Sequence, residues 1–227
     1  MRICPLTLVE CTKLIQPYPK TAFLISPSPE NSPQEIIDVN ENIKSILDCY
    51  DFKNIEGSNV IDYGDYLCSI CKNILGTSFG IAISSNNVKK STLCNIFWEY
   101  GLMNGFGKPV ILIIDNKSNL PSDFNRTFTI FYRNRNYLDN FKKLIEQIIK
   151  LKILYHISYE IALGPGDYEK AGWYLKEAYL ISGDREILKK LEDLIKLIQG
   201  NKKIPYGFKK RLYEDLNMFV KSIKNNI

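Results

Sequence analysis

The chain has 227 residues, of which 45% are hydrophobic, and a formal net charge of +5. This length suits one large domain or two small ones, and the absence of any apolar run near the roughly 18 residues of a membrane span argues against a membrane protein. The start, Met1 to Pro5, has no signal-peptide pattern, so we expect a cytoplasmic protein.

The first two thirds of the chain alternate between short apolar runs and amphipathic segments. Residues 1–20 contain three prolines and are predicted to be an irregular arm. A first strand is predicted at 21–26, and Ser32, Pro33 and Glu35 are typical of a helix start. The elements predicted after that helix are a weak strand within 51–61, a helix at 63–75, a strand at 79–84, a helix at 92–104, and strands at 109–114 and 127–132.

This alternation predicts an α/β fold, with a flavodoxin- or Rossmann-like parallel sheet of five strands. Ligands of such sheets bind outside the carboxyl ends of the strands. Ser26 and Pro27 follow the first predicted strand, and Ser84 ends the third. These residues are therefore predicted to contact a substrate.

The pattern changes to helices alone after about residue 134. We therefore predict an α/β domain at 21–133 and a helical C-terminal region at 134–227. Apolar faces in this region need burial against the sheet or a second copy of the chain, so we expect a homo-oligomer. Residues 134–227 hold 18 basic and 12 acidic side chains, a balance of +6. We interpret this charge as a solvated helix face, and a specific nucleic-acid site is not expected.

The six cysteines give no decisive signal. Cys68 and Cys71 have the CxxC spacing, and Cys4 and Cys11 form a second, wider pair. Buried thiols are the favoured interpretation in a cytosolic chain. A zinc site or a disulfide formed by these four residues remains the alternative. His156 is the only histidine, which excludes a histidine dyad, and no Walker or dinucleotide-binding glycine motif is present.

One carboxylate, Glu99, interrupts an apolar helix pattern. It lies in the segment Asn95-Ile96-Phe97-Trp98-Glu99-Tyr100-Gly101, and Gly107-Lys108-Pro109 then leads into an apolar strand. The pair of motifs resembles nucleoside 2-deoxyribosyltransferases and the related TIR-like nucleotide-binding domains of prokaryotic defence systems. The resemblance covers about residues 21–132.

This resemblance implies that Glu99 is the catalytic residue, either as nucleophile or as stabiliser of positive charge at the sugar. It also implies that Asn95, Trp98 and Asp65 contact a nucleoside or nucleotide, and that NAD could serve as substrate without any further cofactor. The third-strand loop carries Ser84-Ser85-Asn86-Asn87 where the transferases have an aspartate. That departure favours NAD-type cleavage or binding alone over transferase chemistry.

Two hypotheses follow from the sequence. The first is an enzyme that cleaves or transfers at an N-glycosidic bond. The second is a binding module that senses a nucleotide and signals through the helical C-terminal region. Lys89 and Lys90 are the nearest candidates for a phosphate contact in the second case.

Overall fold

A computed structural model of the protein describes residues 15–57, 66–115 and 128–225. Its centre is a five-stranded sheet in the order β2-β1-β3-β4-β5, in which every neighbouring pair is parallel. The predicted fold class is thus confirmed. The strands are β1 (Thr21–Ile25), β2 (Lys53–Glu56), β3 (Phe79–Ser84), β4 (Val110–Ile114) and β5 (Phe128–Phe131).

Helices cover both faces of the sheet. One face packs against α1 and α4, and the other against α2 and α3. Fully buried residues alternate between these faces along β3, because successive side chains of a strand point to opposite sides. The helices are α1 (Gln34–Cys49), α2 (Tyr66–Gly76), α3 (Lys90–Gly105), α4 (Tyr137–Leu163), α5 (Tyr168–Ser182), α6 (Arg185–Gly200) and α7 (Tyr206–Lys224), and Pro29–Asn31 form a 3-10 turn.

The helix starts differ most from the sequence prediction. Helix α1 has Pro33 rather than Ser32 as its N-cap residue, and the Ser32 hydroxyl donates instead to the carbonyls of Pro27 and Ser28. Ser32 therefore closes the loop after β1 and leaves the first amides of α1 without a side-chain cap. Helix α3 begins at Lys90, two residues earlier than predicted.

Helices α4 to α7 form the predicted C-terminal helical region around their own apolar cluster. Helix α4 links it to the sheet: Phe141 and Ile145 lie in the core of the sheet domain, whereas Tyr159 and Ala162 lie in the helical cluster. The same 27-residue helix thus joins both cores.

Helix α5 lies against the amino ends of the strands. The backbone N–H of Lys20 donates to the carbonyl of Leu180 at 2.7 Å, and the hydroxyl of Ser78 donates to the same oxygen at 2.7 Å. Gly107 has a positive φ of 73° and lies beside Trp173. A side chain at Gly107 would be strained in that backbone conformation, so this glycine serves the junction between the two regions.

Part of α4 carries an apolar stripe that no described element covers. Ile153, Leu154, Ile157 and Ile161 are 52% to 70% exposed. The expected homo-oligomer stays a prediction. Within the described ranges, no helix combines the length and apolar character that a membrane crossing requires.

Candidate functional site

Glu99 is buried between α3 and the strands. It is 9% exposed and lies nine residues after the first residue of α3. Its Oε2 atom is 3.5 Å from the position that a Cβ atom would take at Gly57, directly after β2. The same Cβ position is 3.4 Å from Phe23 of β1. The carboxylate therefore faces the carboxyl end of β2, across the ring of Phe23.

Burial controls the ionisation of Glu99. Desolvation raises the pKa of its carboxyl from 4.5 to about 7, because removal of water disfavours the charged form. No hydrogen bond or ion pair joins Glu99 to another residue of the described ranges. At neutral pH the carboxyl is thus close to its midpoint of titration and lacks a cation in this part of the chain.

Glu99 lies too far along α3 for the helix dipole to stabilise its carboxylate. A place near the helix N-terminus would let the dipole stabilise the Glu99 carboxylate, but that effect fades within the first turn. Glu99 lies in the third turn of the observed helix. Asn95 lies in its second turn, so it does not cap the helix.

Ser84 lies on the same face of the sheet as Glu99. Ser84 is two residues from Ala82 on β3 and therefore shares its face, and Ala82 belongs to the core under α2 and α3. The side chain is buried, and its Oγ atom has no hydrogen-bond partner among the described residues. β1 and β3 are neighbours whose following helices, α1 and α3, lie on opposite faces, which makes this the topological switch point of the sheet.

The other predicted substrate contacts differ in how far they are exposed. Ser26 is half-buried and Pro27 is buried in the loop after β1. Asn95 precedes Glu99 by one helical turn and is exposed. Trp98 is 41% exposed and leaves the helix about 100° around its axis from Glu99. Asp65 lies outside the described residues.

Sequence reasoning missed a network of polar side chains at the carboxyl ends of the strands, on the face of the sheet that packs against α1. Arg133 Nη2 donates to Glu35 at 3.1 Å and lies 4.0 Å from Asp115. The backbone N–H of Asn86 donates to Asp115 at 3.0 Å, and the amide of Asn87 donates to Glu35 at 3.0 Å. One indication of this network is present in the sequence, because Asp115 directly follows an apolar strand. This network braces the loops after β3, β4 and β5.

The lysine of the Gly-Lys-Pro motif lies far from these residues in the topology. Lys108 precedes β4 and therefore lies at the amino ends of the strands, where its ammonium group donates to both carboxylate oxygens of Glu177 on α5 at 2.9 and 2.8 Å. It also donates to the carbonyl of Thr77 at 2.9 Å. The motif lysine thus joins the sheet to the helical region and is not part of the Glu99 site.

The cysteines give no assembled site in the part of the chain that the structure describes. Cys68 and Cys71 are half-buried thiols on α2, and Cys94 is an exposed thiol on α3. Cys4 and Cys11 fall outside the described residues. Among residues 15–57, 66–115 and 128–225, no three histidine, cysteine or acidic side chains cluster in a way that could hold a metal.

Comparison with known proteins adds no family assignment: no protein-family model matches the chain, and no curated protein matches it either.

Proposed function

We propose that this protein cleaves or transfers at the N-glycosidic bond of a nucleoside or an NAD-type nucleotide, with Glu99 acting on the sugar. The observation that carries the proposal is a desolvated carboxylate without a cationic partner among the described residues, beside a glycine at the carboxyl end of a strand. The resemblance of the Glu99 and Gly107 motifs to deoxyribosyltransferases and TIR-like domains supports it.

Such a carboxylate suits the chemistry of this bond. Cleavage of a glycosidic bond passes through an oxocarbenium-like state, in which positive charge develops at the anomeric carbon. A carboxylate held in a poorly solvated site stabilises that charge strongly, because little water screens the interaction. The same positive charge lowers the pKa of Glu99 from about 7, so the transition state draws the carboxyl into its ionised form.

The leaving group decides what else the site needs. A nicotinamide nucleotide already carries a positive charge on its base, so departure of the base requires little proton transfer. A neutral deoxynucleoside requires protonation of the base by an acid. A Glu99 carboxyl with a pKa of about 7 is itself partly protonated at neutral pH, but a nucleophile cannot supply the same proton. The cationic substrate is therefore the simpler match.

The test is release of free base by the wild-type protein and by Glu99→Gln. Incubation with NAD and with each deoxynucleoside, followed by chromatography, should show base release by the wild type. Glu99→Gln keeps the shape of the side chain, and we expect a loss of about a thousandfold or more, equivalent to about 4 kcal/mol of transition-state stabilisation. Unchanged turnover in a folded Glu99→Gln protein would remove Glu99 from the mechanism.

The alternative is a nucleotide sensor that signals through the helical region. Lys89 and Lys90 are exposed at the start of α3, where backbone amides and the helix dipole favour an anion. The buried Lys108–Glu177 pair connects the sheet to α5. A sensor would bind NAD without base release, and Lys89→Ala with Lys90→Ala would weaken that binding whereas Glu99→Gln would not.

A further inference from the structure

Gly57 directly follows β2 and lies against the carboxylate of Glu99. Its φ angle lies outside the left-handed region, so the backbone does not demand glycine there. A Cβ atom would lie 3.4 Å from the Phe23 ring and 3.5 Å from Glu99 Oε2, which are ordinary van der Waals distances. The fold therefore has room for an alanine at this position, and the lack of a side chain needs another explanation.

We propose that Gly57 is the specificity-determining residue of the Glu99 site, because its missing side chain leaves space for the sugar against the carboxylate. This inference rests on the proposed function. Phe23 is fully buried and closes the space from the β1 side. A group in contact with Glu99 Oε2 from the β2 side must then pass over Gly57, and any side chain at residue 57 shortens that passage.

The space at Gly57 is intermediate between the spaces at two other glycines. A Cβ atom at Gly80 would lie 2.2 Å from the sulfur of Met103, so glycine is needed there for close packing of β3 against α3. A Cβ atom at Gly101, two residues after Glu99 on α3, would meet nothing within 4 Å. Gly101→Ala is thus a matched control on the same helix, and it should leave the site unchanged.

A second consequence concerns the ionisation of Glu99. A methyl group at residue 57 replaces solvent or ligand next to the carboxylate, and further desolvation favours the protonated form. Gly57→Ala should therefore raise the pKa of Glu99 above its value of about 7.

The experiment compares wild type, Gly57→Ala, Gly57→Val and Gly101→Ala. We expect kcat/KM for base release from NAD to fall about tenfold in Gly57→Ala and about a hundredfold or more in Gly57→Val, since each added methyl group removes space that the sugar needs. The ascending limb of the pH profile should move upward by roughly half a unit in Gly57→Ala. Gly101→Ala should match wild type in both measurements.

Circular dichroism checks that each variant folds, and Gly57→Ala keeps the test valid if Gly57→Val does not. Wild-type kcat/KM and an unshifted pH limb in folded Gly57→Ala would overturn the role of Gly57 while the proposed function stands. No base release by the wild type would overturn the proposed function and the sugar as ligand together. In that case the pH dependence of thermal stability, which needs no substrate, still reports whether Gly57→Ala moves the pKa of Glu99.

Discussion

The two ends of the sheet each bury a glutamate, and they treat its charge in opposite ways. At the amino ends, Glu177 of α5 receives two hydrogen bonds from Lys108, whose side chain is only 1% exposed. Near the carboxyl ends, Glu99 is buried to a similar extent but has no such partner in the described ranges. Similar burial therefore gives a closed ion pair at one end and a carboxylate with a raised pKa at the other.

The ion pair of Glu177 contributes to stability, whereas the buried carboxyl of Glu99 reduces it. A buried charge destabilises the fold unless it is paired and hydrogen-bonded. The pair at the amino ends satisfies both groups and fixes α5 against the sheet. The carboxyl at the other end has no such partner in the described ranges and is destabilising at neutral pH. A carboxyl whose pKa is perturbed by desolvation is a candidate functional group.

Removal of one partner of the Lys108–Glu177 pair should have the largest effect on stability. Lys108→Met leaves Glu177 buried without its cation, and we expect the free energy of unfolding to fall by about 3–5 kcal/mol. The double variant Lys108→Met with Glu177→Leu removes both charges and should recover most of that loss. Urea denaturation of the single and double variants measures both values.

The control for this prediction is an exposed ion pair. Lys196 and Asp193 are paired at 3.0 Å with side chains 72% and 59% exposed, so Lys196→Met should change stability by less than about 1 kcal/mol. Equal effects of Lys108→Met and Lys196→Met would show that the buried pair does not hold the helical region to the sheet.

Ionisation of Glu99 should make the fold less stable as the pH rises. The folded pKa of about 7 lies above the ordinary value of 4.5. The contribution of this carboxyl to stability is therefore fully present below pH 4.5 and is lost as the pH rises through about 7. The loss amounts to at most about 3 kcal/mol, from 1.36 kcal/mol for each pKa unit.

Glu99→Gln cannot ionise and should escape this loss. Urea denaturation should find the variant more stable than wild type by up to about 3 kcal/mol at pH 8.5, and nearly equal to it at pH 4. All other carboxyls titrate in both proteins, so the difference between the two curves isolates Glu99. Curves that run parallel from pH 4 to 8.5 would contradict the raised pKa.

The contrast between the two glutamates also shows what the sequence could predict. Apolar runs such as Val110–Ile114 gave the strands and the parallel sheet, because periodicity and length suffice for buried strands. The burial of Glu99 inside an apolar helix pattern was also predictable. The role of Lys108 was not, since its partner lies 69 residues away and only the packing of α5 brings them together.

Local neighbours in sequence were equally poor guides to the site. Trp98 adjoins Glu99 in the chain but is exposed on another side of α3. Gly57 is far from Glu99 in sequence and lies beside its carboxylate. A helix turns by about 100° per residue, so adjacent residues diverge, whereas contacts across the sheet depend on the order of the strands, which the sequence pattern alone did not fix.

The smallest expected effect concerns Ser84, whose buried hydroxyl oxygen lacks a partner in the described residues. A buried hydroxyl without a hydrogen bond is destabilising, so Ser84→Ala should raise the free energy of unfolding by about 1 kcal/mol. If the hydroxyl instead serves a ligand at the switch point, the same variant should bind or turn over NAD less well. Ser78→Ala is the matched control, because the Ser78 hydroxyl donates to Leu180 at the amino ends and its removal should lower stability without a specific effect on the site. A Ser84→Ala protein that is less stable than wild type would show that the hydroxyl has a structural partner, and Ser84 would then leave the site near Glu99.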